Sequence, residues 1–277
     1  MNTTSSYKPI GVFDSGYGGL TVLKEIVKEL PQYDFLYLGD NARAPYGSRS
    51  FETVYEYTLQ CVKHLFDKGC HLVILACNTA SAKALRNIQQ IDLPQIASHK
   101  RVLGVIRPTT EIVGQYSITR HVGVLGTAGT VSSGSYLVEI KKFFPDLKVY
   151  QEACPMWVPL IENNETDNEG AEYFFRRHVH HLMAQSPEID TIILGCTHYP
   201  LIADKIKKYL PQNVQLLSQG KIVASGLKNY LERHPEIEVN CSKNGTVNFY
   251  TTDVPQTFDK AATMFFGKEV KSQQLSL

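Results

Sequence analysis

Leu72-Val73-Ile74-Leu75-Ala76-Cys77-Asn78-Thr79 and, far downstream, Thr191-Ile192-Ile193-Leu194-Gly195-Cys196-Thr197-His198 share one grammar. Each is a short apolar run that stops at a small residue, then a cysteine, then hydrogen-bonding side chains. A run of this length bounded by polar residues reads as a strand buried on both faces. Such strands belong to parallel sheets, which build their sites beyond the strand carboxyl ends. The pair therefore predicts an α/β protein in which two thiols are brought to one cleft.

Outward from these runs the chain alternates strand and helix. Ile10-Gly11-Val12-Phe13 reads as a strand ending at Asp14-Ser15-Gly16, followed by a helix from Leu20 to Leu30 that stops at Pro31. Phe35–Leu38 is the next strand. A helix from about Ser50 to Lys68 is closed by Gly69, and another from about Ala80 to Gln90 follows the first cysteine run. Val102–Ile106 reads as a strand halted by Arg107-Pro108. The cycle then restarts with a helix over 110–116 and a strand over 121–125. Gly126-Thr127-Ala128-Gly129-Thr130 is a turn opening a helix to about Phe143, and a strand covers 147–152. A loop through Pro155 and Pro159 leads to Glu162, and a helix to about Gln185 precedes the second cysteine run. Val247–Thr252 is a strand expected to return to the first half. The expected architecture is two similar open parallel-sheet α/β domains, with the site in the cleft between them. The first would comprise residues 1–107 and 221–277, the second 108–220.

Composition sets bounds. The 277 residues are 43% hydrophobic, enough for a full core, and 28 basic against 27 acidic residues give a net charge of +1. That balance offers no footprint for nucleic acid or an anionic membrane. The polar N-terminus lacks an apolar signal core and no apolar run reaches membrane-span length, so a cytoplasmic protein is expected. The six cysteines form no CxxC pair and no zinc spacing, so no metal site is expected. Cys61, Cys70, Cys154 and Cys241 read as structural thiols.

Cys77 and Cys196 suit acid–base work, because an unperturbed thiol titrates at about 8.5 and either form is reachable by modest tuning. Two thiols on opposite faces of one carbon could remove and replace a weakly acidic proton without a cofactor, and none is expected. Asp14 points from a strand end toward the same rim, where it could relay a proton, bind an ammonium group or cap the next helix. His198 lies two residues from Cys196, close enough to act on it. Glu162 could tune His198. Ser15, Asn78, Thr79, Thr130 and Thr197 sit at strand ends or helix starts and together describe an anion-binding floor. Tyr46-Gly47, in the Arg43-Ala44-Pro45-Tyr46-Gly47 turn, could close over a ligand. Gly16-Tyr17-Gly18-Gly19 lacks the dinucleotide fingerprint and the Walker lysine.

At this point the ordered motifs resemble a known family, the cofactor-independent glutamate racemases. The resemblance rests on Gly11-Val12-Phe13-Asp14-Ser15-Gly16-Tyr17-Gly18-Gly19-Leu20, Ala44-Pro45-Tyr46-Gly47, Ala76-Cys77-Asn78-Thr79-Ala80 and Gly123-Val124-Leu125-Gly126-Thr127. It continues through Cys154-Pro155 with Pro159-Leu160-Ile161-Glu162, Leu194-Gly195-Cys196-Thr197-His198-Tyr199-Pro200-Leu201 and Phe249-Tyr250-Thr251-Thr252. It implies that Cys77 deprotonates D-glutamate and Cys196 L-glutamate, assisted by Asp14, Glu162 and His198. It implies that Asp14-Ser15, Tyr46-Gly47, Asn78-Thr79 and Thr197-His198 hold the substrate, and that the protein is a homodimer supplying D-glutamate for peptidoglycan. Arg107-Pro108-Thr109 departs from the family's usual acidic residue followed by Pro-Gly. A racemase acting on aspartate, or a non-catalytic binding protein on the same scaffold, are the competing readings.

Overall fold

In a computed structural model the described residues are 7–277. Residues 1–6, part of the polar N-terminus read above, lie outside them. Among the described residues, ten strands form two sheets. They are β1 (Ile10–Asp14), β2 (Phe35–Gly39), β3 (Leu72–Leu75), β4 (Arg101–Gly104), β5 (His121–Gly126), β6 (Lys148–Ala153), β7 (Thr191–Gly195), β8 (Gln215–Leu217), β9 (Val247–Thr251) and β10 (Ser272–Gln274). One sheet has the order β10-β9-β2-β1-β3-β4 and the other β6-β5-β7-β8. Every pairing in both is parallel.

The residue alternation explains how the larger sheet is covered. Ile10 and Val12 face a core shared with Leu20, Leu23 and Ile26 of helix Gly19–Glu29. Phe13 faces the other way, with Val54, Val62 and Leu65 of helix Phe51–Asp67. Successive strand residues point to opposite faces, so one strand serves both layers. The first of these cores runs on into the second half through Leu125, Ile192 and Leu194, and through Val223 and Leu227 of helix Gln219–Arg233. That helix lies against Gly19–Glu29. The two halves are therefore joined by continuous apolar packing as well as by chain crossings.

Several elements differ from the sequence reading. The strand expected over Val102–Ile106 ends at Gly104, and helix Ile106–Thr110 begins two residues later. Pro108 falls in its first turn, where the missing N–H is not needed. The helix expected over 110–116 is reduced to a 3₁₀ turn at Val113–Gln115. The helix expected up to Phe143 is split, because Gly134 turns left-handed at φ 65° between Ala128–Ser132 and Ser135–Phe143. The stretch from Asn78 to Ile96 is a series of short helical pieces rather than one helix. The loop expected before Glu162 contains helix Trp157–Glu162. The boundary at Pro108 falls inside helix Ile106–Thr110, and the boundary at 220 inside helix Gln219–Arg233. All six cysteines are free and buried. Among the described residues no helix is long and apolar enough to cross a membrane.

Candidate active site

Each sheet changes its direction of winding beside its first strand. In the larger sheet β1 is flanked by β2 on one side and β3 on the other; in the smaller, β5 is flanked by β6 and β7. Parallel α/β sheets open a crevice at such a point, outside the strand carboxyl ends. Asp14 ends β1, and Cys77 follows β3 by two residues. Thr127 follows β5, and Cys196 follows β7 directly. The two thiols thus occupy equivalent places at the two crevices.

The halves meet at these rims. Gly18 carries no side chain for a steric reason. A Cβ there would stand 2.3 Å from Thr197 Oγ1 and 2.4 Å from His198 Nδ1. Thr21 Oγ1 donates to the Thr197 carbonyl at 2.9 Å. On the opposite side, Gly129 N donates to Gly47 O at 2.8 Å. Thr79 Oγ1 lies 2.9 Å from Thr127 Oγ1 and 3.4 Å from Thr130 Oγ1. The mouth between the crevices is therefore bridged by direct hydrogen bonds.

Cys77 is the N-cap of helix Asn78–Lys83. Its sulfur accepts from Ala80 N at 3.4 Å and lies 3.5 Å from Ser15 Oγ. Burial pushes its thiol up to about 12, reinforced by the charge of Asp14, while the Ser15 and Ala80 contacts work the other way. Burial and the Asp14 charge both favour the neutral thiol over the thiolate. Asp14 Oδ2 accepts from Gly16 N at 3.0 Å, and its Oδ1 is buried with no hydrogen-bond partner among the described residues. Burial raises this carboxyl above its usual range, against the pull of His198.

Cys196 is 6% exposed, as is Cys77. Its sulfur lies 3.8 Å from His198 Nδ1, and His198 Nε2 lies 2.8 Å from Glu162 Oε1. Burial disfavours charge on His198, but the hydrogen bonds and charges of Cys196 and Glu162 outweigh it and lift the imidazole to about 10. These contacts favour the protonated ring, with Nε2 facing the carboxylate and Nδ1 the sulfur. The ring is fixed edge-on to Phe265, centroids 5.3 Å apart. Glu162 reaches it from the end of helix Trp157–Glu162, and its Oε1 lies 3.5 Å from where a Cβ on Gly16 would stand.

The structure brings Asp14, Ser15, Cys77, Asn78, Thr79, Thr130, Glu162, Cys196, Thr197 and His198 to one junction. Tyr46 differs in one respect, since its hydroxyl donates to buried Asp40 rather than turning toward the thiols. Asp40 also accepts from Arg43 Nε at 2.7 Å and Thr252 Oγ1 at 2.8 Å, so it pins the turn that carries Gly47. Sequence reading missed Asp40, and missed Thr127 and Gly18 as contact residues. Thr127 carried a usable signal, because its side chain caps a helix by accepting from Thr130 N at 3.2 Å. A separate cavity of about 700 Å³, lined by Arg86, Arg107, Glu139, Tyr230 and Arg233 among others, includes none of the thiol-site residues.

Paired thiols at matching switch points invite comparison with known proteins. Residues 10–225 match the family described as Asp/Glu/Hydantoin racemase. The chain belongs to that family. Within it the similarity is to glutamate racemases, so the chain is an amino-acid racemase, an isomerase. It is 38% identical over 271 residues to the glutamate racemase of Sulfurihydrogenibium sp. (strain YO3AOP1), covering 97% of each chain. Among solved structures it resembles glutamate racemase isoform RacE1 from Bacillus anthracis, with TM-score 0.88, 32% identity and 98% of each chain covered. It also resembles the glutamate racemase from Francisella tularensis solved in complex with D-glutamate, with TM-score 0.86, 33% identity and 98% of each chain covered.

Proposed function

We propose that this racemase interconverts L- and D-glutamate by a two-base mechanism that uses Cys77 and Cys196 and no cofactor. The observation that carries the reading is the pairing of the thiols. Both are buried at strand ends facing one junction, and each is next to its own ionisable partner, Asp14 for Cys77 and His198–Glu162 for Cys196.

In the L-to-D direction, the Cys196 thiolate takes the α-proton from L-glutamate. The Cys77 thiol gives its proton to the opposite face of the same carbon. D-glutamate leaves, with Cys196 now protonated and Cys77 a thiolate. The reverse reaction exchanges the roles. His198 can pass a proton to or from Cys196, and Asp14 stands in the same relation to Cys77. Ser15, Asn78, Thr79, Thr130, Thr197 and the Tyr46-Gly47 turn hold the substrate. Their hydroxyls and N–H groups suit two carboxylates, and unpartnered Asp14 Oδ1 suits the ammonium. In this reading the molecule is two α/β domains, 108–220 and the remainder, that close on the substrate. It acts in the cytoplasm as a homodimer, and its D-glutamate feeds peptidoglycan assembly. The resemblance to glutamate racemases supports each of these.

The test is proton NMR of the protein with D-glutamate in D2O, without added pyridoxal phosphate or metal, followed by chiral analysis. Loss of the α-proton signal with appearance of L-glutamate is expected. Exchange of D-aspartate alone would overturn the substrate assignment. Exchange of neither acid would overturn the catalytic reading.

A further inference from the structure

Tyr136 touches both thiol-bearing strand ends. It lies in helix Ser135–Phe143 and is fully buried. Its hydroxyl donates to Asn78 Oδ1 at 2.8 Å, and Asn78 directly follows Cys77. Its ring edge lies 3.2 Å from where a Cβ on Gly195 would stand, and Gly195 directly precedes Cys196. A planar ring with one polar end therefore spans from the shoulder of one thiol to the shoulder of the other.

The direction of these hydrogen bonds is fixed from behind. The two N–H groups of Gln219 Nε2 are shared among the Val105 carbonyl at 3.0 Å, Tyr136 Oη at 2.9 Å and Thr109 Oγ1 at 3.2 Å. A carbonyl can only accept, so the Gln219 amide must present nitrogen on this side, and its Oε1 is left buried without a partner. Tyr136 Oη accepts from Gln219, so its own proton is free for Asn78. Asn78 offers Oδ1 to that proton, and its Nδ2 is turned away. That Nδ2 is buried and has no partner among the described residues. Buried donors are rarely left unpaired, and this one adjoins Cys77 at the crevice.

We infer that Tyr136, locked by Gln219, is a positioning residue that sets the gap between the two thiol-bearing strand ends and presents the Asn78 amide N–H₂ to a substrate carboxylate. This rests on the racemase reading given above. Neither residue touches the reacting carbon; both act through Asn78 and Gly195.

The experiment compares wild type with Tyr136→Phe, which keeps the ring and removes the hydroxyl. Two quantities are measured. One is KM and kcat for each enantiomer of glutamate. The other is the glutamate concentration that half-protects Cys77 from iodoacetamide, read by peptide mass spectrometry and independent of turnover. Loss of one hydrogen bond behind a carboxylate-binding amide is expected to raise KM and the half-protecting concentration about tenfold, with kcat changed less. Gln219→Met, which removes the lock but leaves the phenol, is expected to act in the same direction at about threefold, and carries the test if Tyr136→Phe does not fold. Values within twofold of wild type in a folded variant overturn the inference and leave the racemase reading intact. If wild-type Cys77 is protected by neither glutamate nor aspartate, both fall together.

Discussion

Glu162→Gln tests the electrostatics around Cys196 with little change of shape. The variant keeps an oxygen 2.8 Å from His198 Nε2 but removes its charge. The His198 side chain is only 6% exposed and that of Glu162 26%, so solvent screens the pair weakly. A charge-assisted hydrogen bond is roughly twice as strong as a neutral one, a difference of about 1–1.5 kcal/mol, and about 1.4 kcal/mol corresponds to one pH unit. The His198 midpoint should therefore fall from about 10 to about 9. The linkage sign follows. The folded imidazole holds its proton more tightly than the unfolded one, so its stabilisation is complete below the ordinary value of 6.5 and is lost as pH rises through about 10. In the variant this loss should be complete about one unit earlier. The assay is the His198 Cε1–H signal in ¹³C-histidine-labelled protein, titrated from pH 6 to 11, alongside urea unfolding at each pH. The alkaline limb of kcat/KM should move with it, equally in both directions because the equilibrium between enantiomers is fixed. A variant midpoint that stays at about 10, or rises, would refute the ion-pair account.

Two further substitutions probe the same site. Cys77→Ser and Cys196→Ser should each lower racemisation by about 10²–10⁴-fold while circular dichroism stays native, since general acid–base catalysis accounts for factors of that size. Near-normal turnover by either would remove the two-thiol scheme. Gly18→Ala should lower both stability, by about 1–3 kcal/mol, and kcat/KM, because a backbone at φ −56° accepts alanine but the new methyl collides with Thr197 and His198. Wild-type activity and urea midpoint in this variant would show that the rim is not fixed there.

The strands that carry the thiols were legible because three or four large apolar residues in a row, stopped by a small residue, have few other solutions. Val105-Ile106 looks no different locally, yet turns helical. Only the packing of the crossover between the sheets decides that, and no local pattern encodes it. Cys77, Cys196, Asp14 and His198 were readable as candidates because each lies next to a strand end. Glu162 was readable only as the end of an apolar loop. Its pairing with His198 is a contact across 36 positions. Tyr136 and Gln219 gave no signal. Their importance comes from a hydrogen-bond direction imposed by the Val105 carbonyl, 114 positions from Gln219. Tyr46 shows the opposite failure, since its place in the turn was readable but the appetite of Asp40 for its hydroxyl was not.

The bridged mouth has a kinetic corollary. Under the two-thiol scheme the empty protein exists as two proton isomers, one ready for L-glutamate and one for D-glutamate. Each turnover converts one into the other. The Gly47–Gly129 and Thr79–Thr127 contacts tie the two halves together on one side of the cleft. Resetting without a reverse turnover requires each sulfur to exchange its proton separately, Cys196 through His198 and Cys77 through Asp14. Until that exchange occurs, the protein keeps a one-bit record of the enantiomer it last released.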